Sequence, residues 1–199
     1  MIKFYEMSND DPYIVFKKYY DKALLKNQQN IEAIAISSVD IEKKQVNSRF
    51  VNLKYIQKDN WVFFSNYDSP KAQEFEMNNK IHALFFWQEL NLQIRIKAKI
   101  KKLSNELSDE HFKKRKFEKN IVALVSKQSK KISSYEAMEN KFNNFFKTKS
   151  ALTERPDYWG GFTFNPFYFE FWFGDENRIN KRCVYEKNKD KWNSFFIQP

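Results

Sequence analysis

Between residues 92 and 100 the chain alternates without a break. Leu92, Ile94, Ile96 and Ala98 are apolar, while Gln93, Arg95, Lys97 and Lys99 are polar or basic. A period of two predicts a strand with one buried face and one solvated face. Shorter runs rich in β-branched and aromatic residues predict strands at 31–39, 46–58, 61–65 and 81–87, with Lys58-Asp59-Asn60 as a hairpin turn. The period lengthens between residues 11 and 28, where Tyr13, Ile14, Phe16, Tyr19, Tyr20, Ala23 and Leu24 follow Asp10-Asp11-Pro12. Near-3.6 spacing after an acidic start and a proline predicts a helix. Ser69-Pro70 opens another helix through Ala72, Phe75 and Met77, which Asn78-Asn79 stops. Helical stretches are predicted at 105–127 and 133–147. After Arg155-Pro156, strands return at 161–164, 167–173, 182–186 and 192–197. Consecutive strands joined by short turns favour antiparallel pairing, so the pattern predicts an α+β fold: a small closed barrel with peripheral helices. One domain is expected over 1–199, with an N-terminal helical segment (1–30), a helical insertion (105–150) and C-terminal strands (158–199).

Composition narrows the chemistry. Of 199 residues, 42% are hydrophobic and 18% aromatic, which supplies a sizeable core and excludes disorder as the main state. A single cysteine, Cys183, excludes an intrachain disulfide and any multi-thiolate metal site; it reads as a packed thiol in a reducing cytoplasm. No apolar run approaches the ~20 residues of a membrane span, and the first residues lack the apolar core of a signal peptide. Only Gly160, Gly161 and Gly174 are present, too few for a dinucleotide fingerprint or a Walker loop. The two histidines, His82 and His111, lie far apart, which argues against a Ser-His-Asp triad or a histidine metal site; His82 reads as a hydrogen-bonded sheet residue. Chemistry by this chain therefore calls for an organic cofactor and no metal. The net charge of +10 comes from lysines spread along the chain, which reads as a solvated surface rather than a nucleic-acid footprint.

Several segments stand in a telling order. These are Ser48-Arg49-Phe50-Val51-Asn52-Leu53-Lys54, Trp61-Val62-Phe63-Phe64-Ser65-Asn66, Ser69-Pro70-Lys71-Ala72, Val125-Ser126-Lys127-Gln128-Ser129, Trp159-Gly160-Gly161-Phe162 and Glu170-Phe171-Trp172-Phe173-Gly174, with Arg178 and Arg182 behind. In this register the chain, from about residue 31 to the end, resembles the pyridoxamine 5′-phosphate oxidase family, whose members bind FMN in a dimeric split β-barrel. The resemblance implies cofactor contacts at Arg49, Phe50, Leu53, Lys54, Phe64, Ser65, Lys71, Gln93, Gln128, Ser129, Trp172 and Arg182. It implies substrate contacts at Lys54, His111, Arg115, Lys119 and Arg178, and catalytic positions at Arg178 and Asn180. A homodimer holding FMN at the subunit interface follows, as does oxidation of pyridoxine or pyridoxamine 5′-phosphate to pyridoxal 5′-phosphate, with oxygen as acceptor and hydrogen peroxide as product.

The residue types suit that task. A terminal phosphate calls for charge-assisted donors, which Arg49 and Lys71 supply, and Gln93 and Gln128 can each donate and accept at a flavin edge. The chain departs from the family pattern at four positions: Pro70 replaces an arginine, His111 a tyrosine, Lys119 a serine and Asn180 a histidine. Two other readings stay open: a flavin enzyme of the same fold acting on another phosphorylated or anionic substrate, and a non-catalytic flavin- or pyridoxal-phosphate-binding module. One geometric tension also stands. Arg49 and Lys54 differ by an odd number, so an uninterrupted strand would point them to opposite faces unless a bulge or a second subunit intervenes.

Overall fold

The computed structural model describes residues 1–148 and 154–199. The last two residues of the predicted 105–150 insertion therefore lie outside the described residues. Among the described residues ten strands form one sheet: β1 (Lys3–Tyr5), β2 (Ala33–Asp40), β3 (Gln45–Asn52), β4 (Tyr55–Gln57), β5 (Asn60–Asn66), β6 (Lys80–Trp87), β7 (Leu92–Lys102), β8 (Trp159–Phe173), β9 (Lys181–Asn188) and β10 (Lys191–Ile197). Their order is β1-β4-β5-β8-β7-β6-β2-β3, with β9 added to β8 and β10 to β9. Every pairing is antiparallel except that of β1 with β4.

The fold turns on β8. One of its edges pairs with β7 along nearly its whole length. The other pairs first with β5, through Trp159–Asn66 to Phe164–Trp61, and then with β9, through Tyr168–Glu186 to Phe173–Lys181. Two strands sharing one edge in succession split the sheet, so the path ends at β3 and β1 and does not close on itself. This is an α+β split barrel. The sequence reading of two strands at 161–164 and 167–173 gives way to one 15-residue strand. Its register shifts where Lys97 faces Tyr168 and Ala98 faces Pro166, leaving Phe167 as the extra residue of a bulge. That shift accommodates a proline, which has no N–H for the ladder.

Among the described residues five α-helices lie outside the sheet: α1 (Asp11–Leu25), α2 (Pro70–Met77), α3 (Asn105–Lys114), α4 (Phe117–Val125) and α5 (Tyr135–Thr148). Helix α1 carries Tyr13, Phe16, Tyr20 and Ala23 on its buried side. Phe16 is fully buried, with its ring centroid 4.6 Å from Trp61 and 5.5 Å from Trp87, so α1 plugs one end of the barrel with aromatic edges. Truncating a ring in such a position costs about 3–5 kcal/mol. The predicted helix at 105–127 is broken at Arg115, whose φ of −81° and ψ of 147° are extended. No glycine or proline marks the spot. The break is held by Asn120 Nδ2 donating to the Phe112 carbonyl at 2.9 Å and Arg115 Nη1 donating to the Lys119 carbonyl at 2.8 Å. Among the described residues no helix is long and apolar enough to cross a membrane.

Candidate functional site

A cavity of about 610 Å³ opens where β3, β5, the start of α2 and the α3–α4 break converge. It is lined by Arg49, Phe50, Lys54, Phe64, Ser65, Lys71, His111, Arg115, Lys119, Gln128 and Ser129, all named by the sequence resemblance. Trp159, Pro70, Val51 and Asn52 complete it.

The parity problem between Arg49 and Lys54 disappears because the predicted 46–58 strand is two strands. Pairing stops at Asn52; Leu53 N–H donates to the Glu32 carbonyl and Lys54 N–H to the Val62 carbonyl before β4 begins. Leu53 turns into the core, fully buried, and Lys54 is released toward the cavity that Arg49 also lines. The Leu53 side chain is therefore a packing residue, not a cavity wall.

Lys71 sits on the first turn of α2 and is only 8% exposed. Its Nζ donates to Ser65 Oγ at 2.9 Å and Ser69 Oγ at 3.1 Å, and it forms no ion pair among the described residues. Burial, then the neighbouring Arg49 charge, lowers its pKa to about 8, with Glu74 opposing. The Glu74 carboxylate is engaged elsewhere. Arg49 Nη2 donates to it at 3.0 Å, Asn47 Nδ2 at 2.8 Å, and the Ser38 hydroxyl also donates to it. Arg49 Nη1 reaches Ser38 Oγ at 2.5 Å. Arg49 is thus both a paired structural arginine and a cavity wall. A buried ammonium facing two hydroxyls and no carboxylate is an incomplete arrangement that an anion would complete. The first turn of α2 adds its partial positive charge at the same place.

A second cationic group, Lys54, Arg115 and Lys119, lines the same cavity. Lys54 has its pKa lowered by burial and, further, by Lys119 and Arg115, with Glu32 opposing. The Arg115 guanidinium lies 4.8 Å from the Trp159 ring. His111 stacks on Phe64 with centroids 3.6 Å apart and contacts the Tyr55 hydroxyl through Nδ1 at 2.5 Å. Burial, then Arg115, Lys54, Lys3 and Lys114, pushes its pKa down to about 4, so the ring is neutral at pH 7. Gln128 accepts at Oε1 from the Asn66 N–H (3.3 Å) and Ser65 Oγ (3.4 Å), which leaves its amide N–H groups as the free end.

Besides Leu53, five predicted residues lie away from the cavity. Gln93, Trp172 and Arg182 stand side by side on β7, β8 and β9, in register, on the outer face of the sheet. Arg178 and Asn180 belong to the loop between β8 and β9. Arg178 is exposed with φ of 63°, and Asn180 Oδ1 accepts from the Asp175 N–H at 3.1 Å. One chain alone does not gather Arg49 and Lys71 with Gln93 and Arg182. The two groups occupy different surfaces of the split sheet.

Sequence reasoning missed Glu74, Tyr55, Arg95 and Glu170, and gave Trp159 no role. Glu74 follows Lys71 by three residues on a helix, which is a legible signal; the partners of Glu170 become visible only with strand register.

Fold and cavity together define a split-barrel protein with a recessed, cation-rich pocket. Residues 20–149 match the profile for pyridoxamine 5′-phosphate oxidase, and residues 159–199 match that of the pyridoxine 5′-phosphate oxidase C-terminal dimerisation region. A pyridoxine/pyridoxamine 5′-phosphate oxidase of Leptospira interrogans is 34% identical over 196 residues, covering 98% of this chain and 91% of the relative. One from Cytophaga hutchinsonii is 38% identical over 188 residues, covering 92% and 86%. Among solved structures, PhzG of Burkholderia lata, in complex with tetrahydrophenazine-1-carboxylic acid, superimposes with a TM-score of 0.89 at 22% identity, covering 96% of this chain and 93% of that one. A pyridoxamine 5′-phosphate oxidase-related, FMN-binding protein of Nostoc punctiforme gives a TM-score of 0.76 at 12% identity, covering 92% and 97%. The chain belongs to the pyridoxamine 5′-phosphate oxidase family, a family of oxidoreductases.

Proposed function

We propose that the protein is a homodimeric, FMN-dependent oxidase that converts pyridoxine or pyridoxamine 5′-phosphate to pyridoxal 5′-phosphate, with oxygen as acceptor and hydrogen peroxide as product. The carrying observation is Lys71, a buried ammonium held by two serine hydroxyls beside Arg49 and lacking an ion pair among the described residues. Phosphate chemistry fits that group: Arg49, Lys71 and Ser65 would hold the FMN phosphate, and Gln128 and Ser129 its neighbouring part. Bound FMN would accept a hydride equivalent from the substrate carbon and pass the electrons to oxygen. The chain's own residues bind and orient. Lys54, Arg115, Lys119 and the Nε2 side of His111 would take the substrate phosphate, while Phe64 and Trp159 wall off water.

The outer sheet face supports the dimer. Phe50, Leu84 and Phe86 are exposed on it, and a register line runs from Phe50 through Ala35, Leu84, Arg95, Glu170 and Val184 to Phe195. Covering this apolar band with a second copy would bring the partner's face group toward the pocket. Gln93, Trp172 and Arg182 from one protomer would then meet Arg49 and Lys71 from its partner, and Arg178 and Asn180 would approach the substrate ring. The lone Cys183 suits a reducing, cytoplasmic setting. A second reading, another anionic substrate, is favoured by Asn180, whose amide oxygen is bound by its own loop. Anaerobic mixing of the purified protein with pyridoxine 5′-phosphate tests the proposal. Bleaching of the visible flavin absorbance is the expected result. Flavin that stays oxidised would exclude this substrate.

A further inference from the structure

Glu170 lies on the outer sheet face, yet is only 3% exposed. Its Oε1 accepts from Arg182 Nε at 2.8 Å and lies 3.5 Å from Arg95 Nη1; its Oε2 accepts from the Tyr168 hydroxyl at 3.1 Å. Arg95 also donates from Nη2 to Gln93 Oε1 at 3.2 Å. A chain of contacts therefore runs from one carboxylate through Arg95 to the Gln93 amide, and directly to Arg182. Arg182 is tied at its far end as well, donating from Nη1 to the Gln198 carbonyl at 3.0 Å.

An unrestrained glutamine can offer either end of its amide to a ligand. This one cannot turn without losing Arg95, so it presents N–H groups, and among the described residues no acceptor meets them. The carboxylate is outnumbered by two guanidinium groups, so the patch offers donors and an excess of positive charge. Trp172 stands between Gln93 and Arg182 in the ladder and provides an apolar surface for a flat ring.

We infer that Glu170 is a positioning residue of the cofactor site: through Arg95 it locks Gln93 as a donor, and directly it aims Arg182, so that this face accepts the carbonyl and ring-nitrogen edge of a planar heterocycle and not an N–H edge. This rests on the FMN reading, and the acceptor edge of the flavin pyrimidine ring is the matching group. An amide free to donate and accept, as the sequence alone allows, is replaced by one with a single polarity.

The test uses the full chain stripped of flavin and titrated with FMN, following flavin fluorescence quenching. Glu170→Gln keeps the shape and removes the charge. Dissociation constants of at least about tenfold above wild type are expected, with a shifted visible band for the flavin that does bind. Combined with Gln93→Ala, the loss should be clearly less than the sum of the two single losses, because both act on one contact. A Glu170→Gln value within about twofold of wild type, or fully additive losses, overturns the inference; a merely structural role would give additivity and an unshifted band. If Glu170→Gln fails to fold, Arg95→Met, on a partly exposed side chain, cuts the same chain of contacts and is read identically. Wild-type protein that binds no FMN would instead sink the proposed function, which keeps the two failures distinct.

Discussion

The recessed pocket and the outer sheet face meet the cost of buried charge in opposite ways. In the pocket, Lys71 is enclosed without an ion pair among the described residues, and burial lowers its pKa. On the face, Glu170 is equally enclosed but satisfied by Arg182, Tyr168 and Arg95, and its pairing raises the pKa of Arg182. One region is unfinished and the other is finished. An unfinished cation is a binding site for what is missing; a finished network is a rigid surface that holds its outermost groups still. The pocket is therefore expected to supply affinity for phosphate, and the face orientation of the ring.

The harshest way to break this comparison is to keep the two regions apart. Phe86 is 54% exposed and pairs in register with Gln93. In the proposed dimer it is covered, and twofold symmetry makes each substitution count twice. Phe86→Glu should weaken association by roughly 5 kcal/mol or more, giving a monomer by light scattering that has lost flavin although its pocket is intact. A monomer that keeps flavin at wild-type affinity would show that the face contributes nothing.

Next in size is the pocket itself. Lys71→Met retains the aliphatic bulk and removes the charge. FMN affinity should fall about 100-fold, near 2.7 kcal/mol, while the apo protein becomes no less stable, because a poorly compensated buried cation has gone. The pH dependence has a definite sign. With a folded pKa of about 8 against 10.5 unfolded, the folded chain binds fewer protons between those values, so unfolding takes up protons and stability of the apo chain rises with pH across that window. The raised tyrosine pKa values, about 12 for Tyr168 and Tyr185, reverse the trend above pH 10. FMN affinity should fall above pH 8; in the Lys71→Met protein that fall should disappear, and the stability slope should shrink to the part that Lys54, also lowered by burial, contributes. Melting temperatures of apo protein at pH 8 and 9.5 check it.

A smaller effect separates the two halves of the pocket. Arg115 is seated over Trp159 and donates to the Lys119 carbonyl, whereas Lys71 is held by Ser65 and Ser69. Arg115→Ala should raise KM for pyridoxine 5′-phosphate roughly tenfold with little change in kcat or flavin content. Equal loss of flavin would merge the two cationic groups into one site.

How much of this was legible in the sequence follows from which forces act locally. Strict alternation fixed the two faces of β7, and Ser69-Pro70 fixed the start of α2, because period and φ restriction are properties of a few adjacent residues. The break at Arg115 and the break at Leu53 were not legible. Neither contains glycine or proline, and both are imposed by distant partners: Asn120 and Phe112 for the first, Glu32 and Val62 for the second. The pocket's lining emerged from motif resemblance, but the polarity of Gln93 and Gln128 did not, since it depends on Arg95, Ser65 and the Asn66 backbone. The barrel that strand count alone reads as closed is split, as the family resemblance implied, because β8 is long enough to take two partners on one edge.

The finest distinction concerns His111, a titratable pocket residue that is neutral at pH 7. Burial raises the pKa of Tyr55, so its hydroxyl keeps its proton; in the tautomer where that hydroxyl donates to the imidazole Nδ1, the ring proton sits on Nε2. A donor that carries no charge should contribute modestly to phosphate binding. His111→Gln keeps an N–H donor and loses the stacking on Phe64, so KM at pH 7.5 should rise only about two- to fivefold. Linkage gives an independent check. The folded pKa of about 4 lies below 6.5, so the unfolded chain binds more protons between those values and stability falls as pH drops through that window. The glutamine variant lacks this contribution, and its urea midpoint should fall less between pH 7 and 5 than that of the parent. Parallel losses would mean that His111 is not held neutral by burial and its cationic neighbours. A KM rise far above fivefold would place a charged imidazolium on the substrate phosphate, making this wall of the pocket as electrostatic as the Lys71 wall.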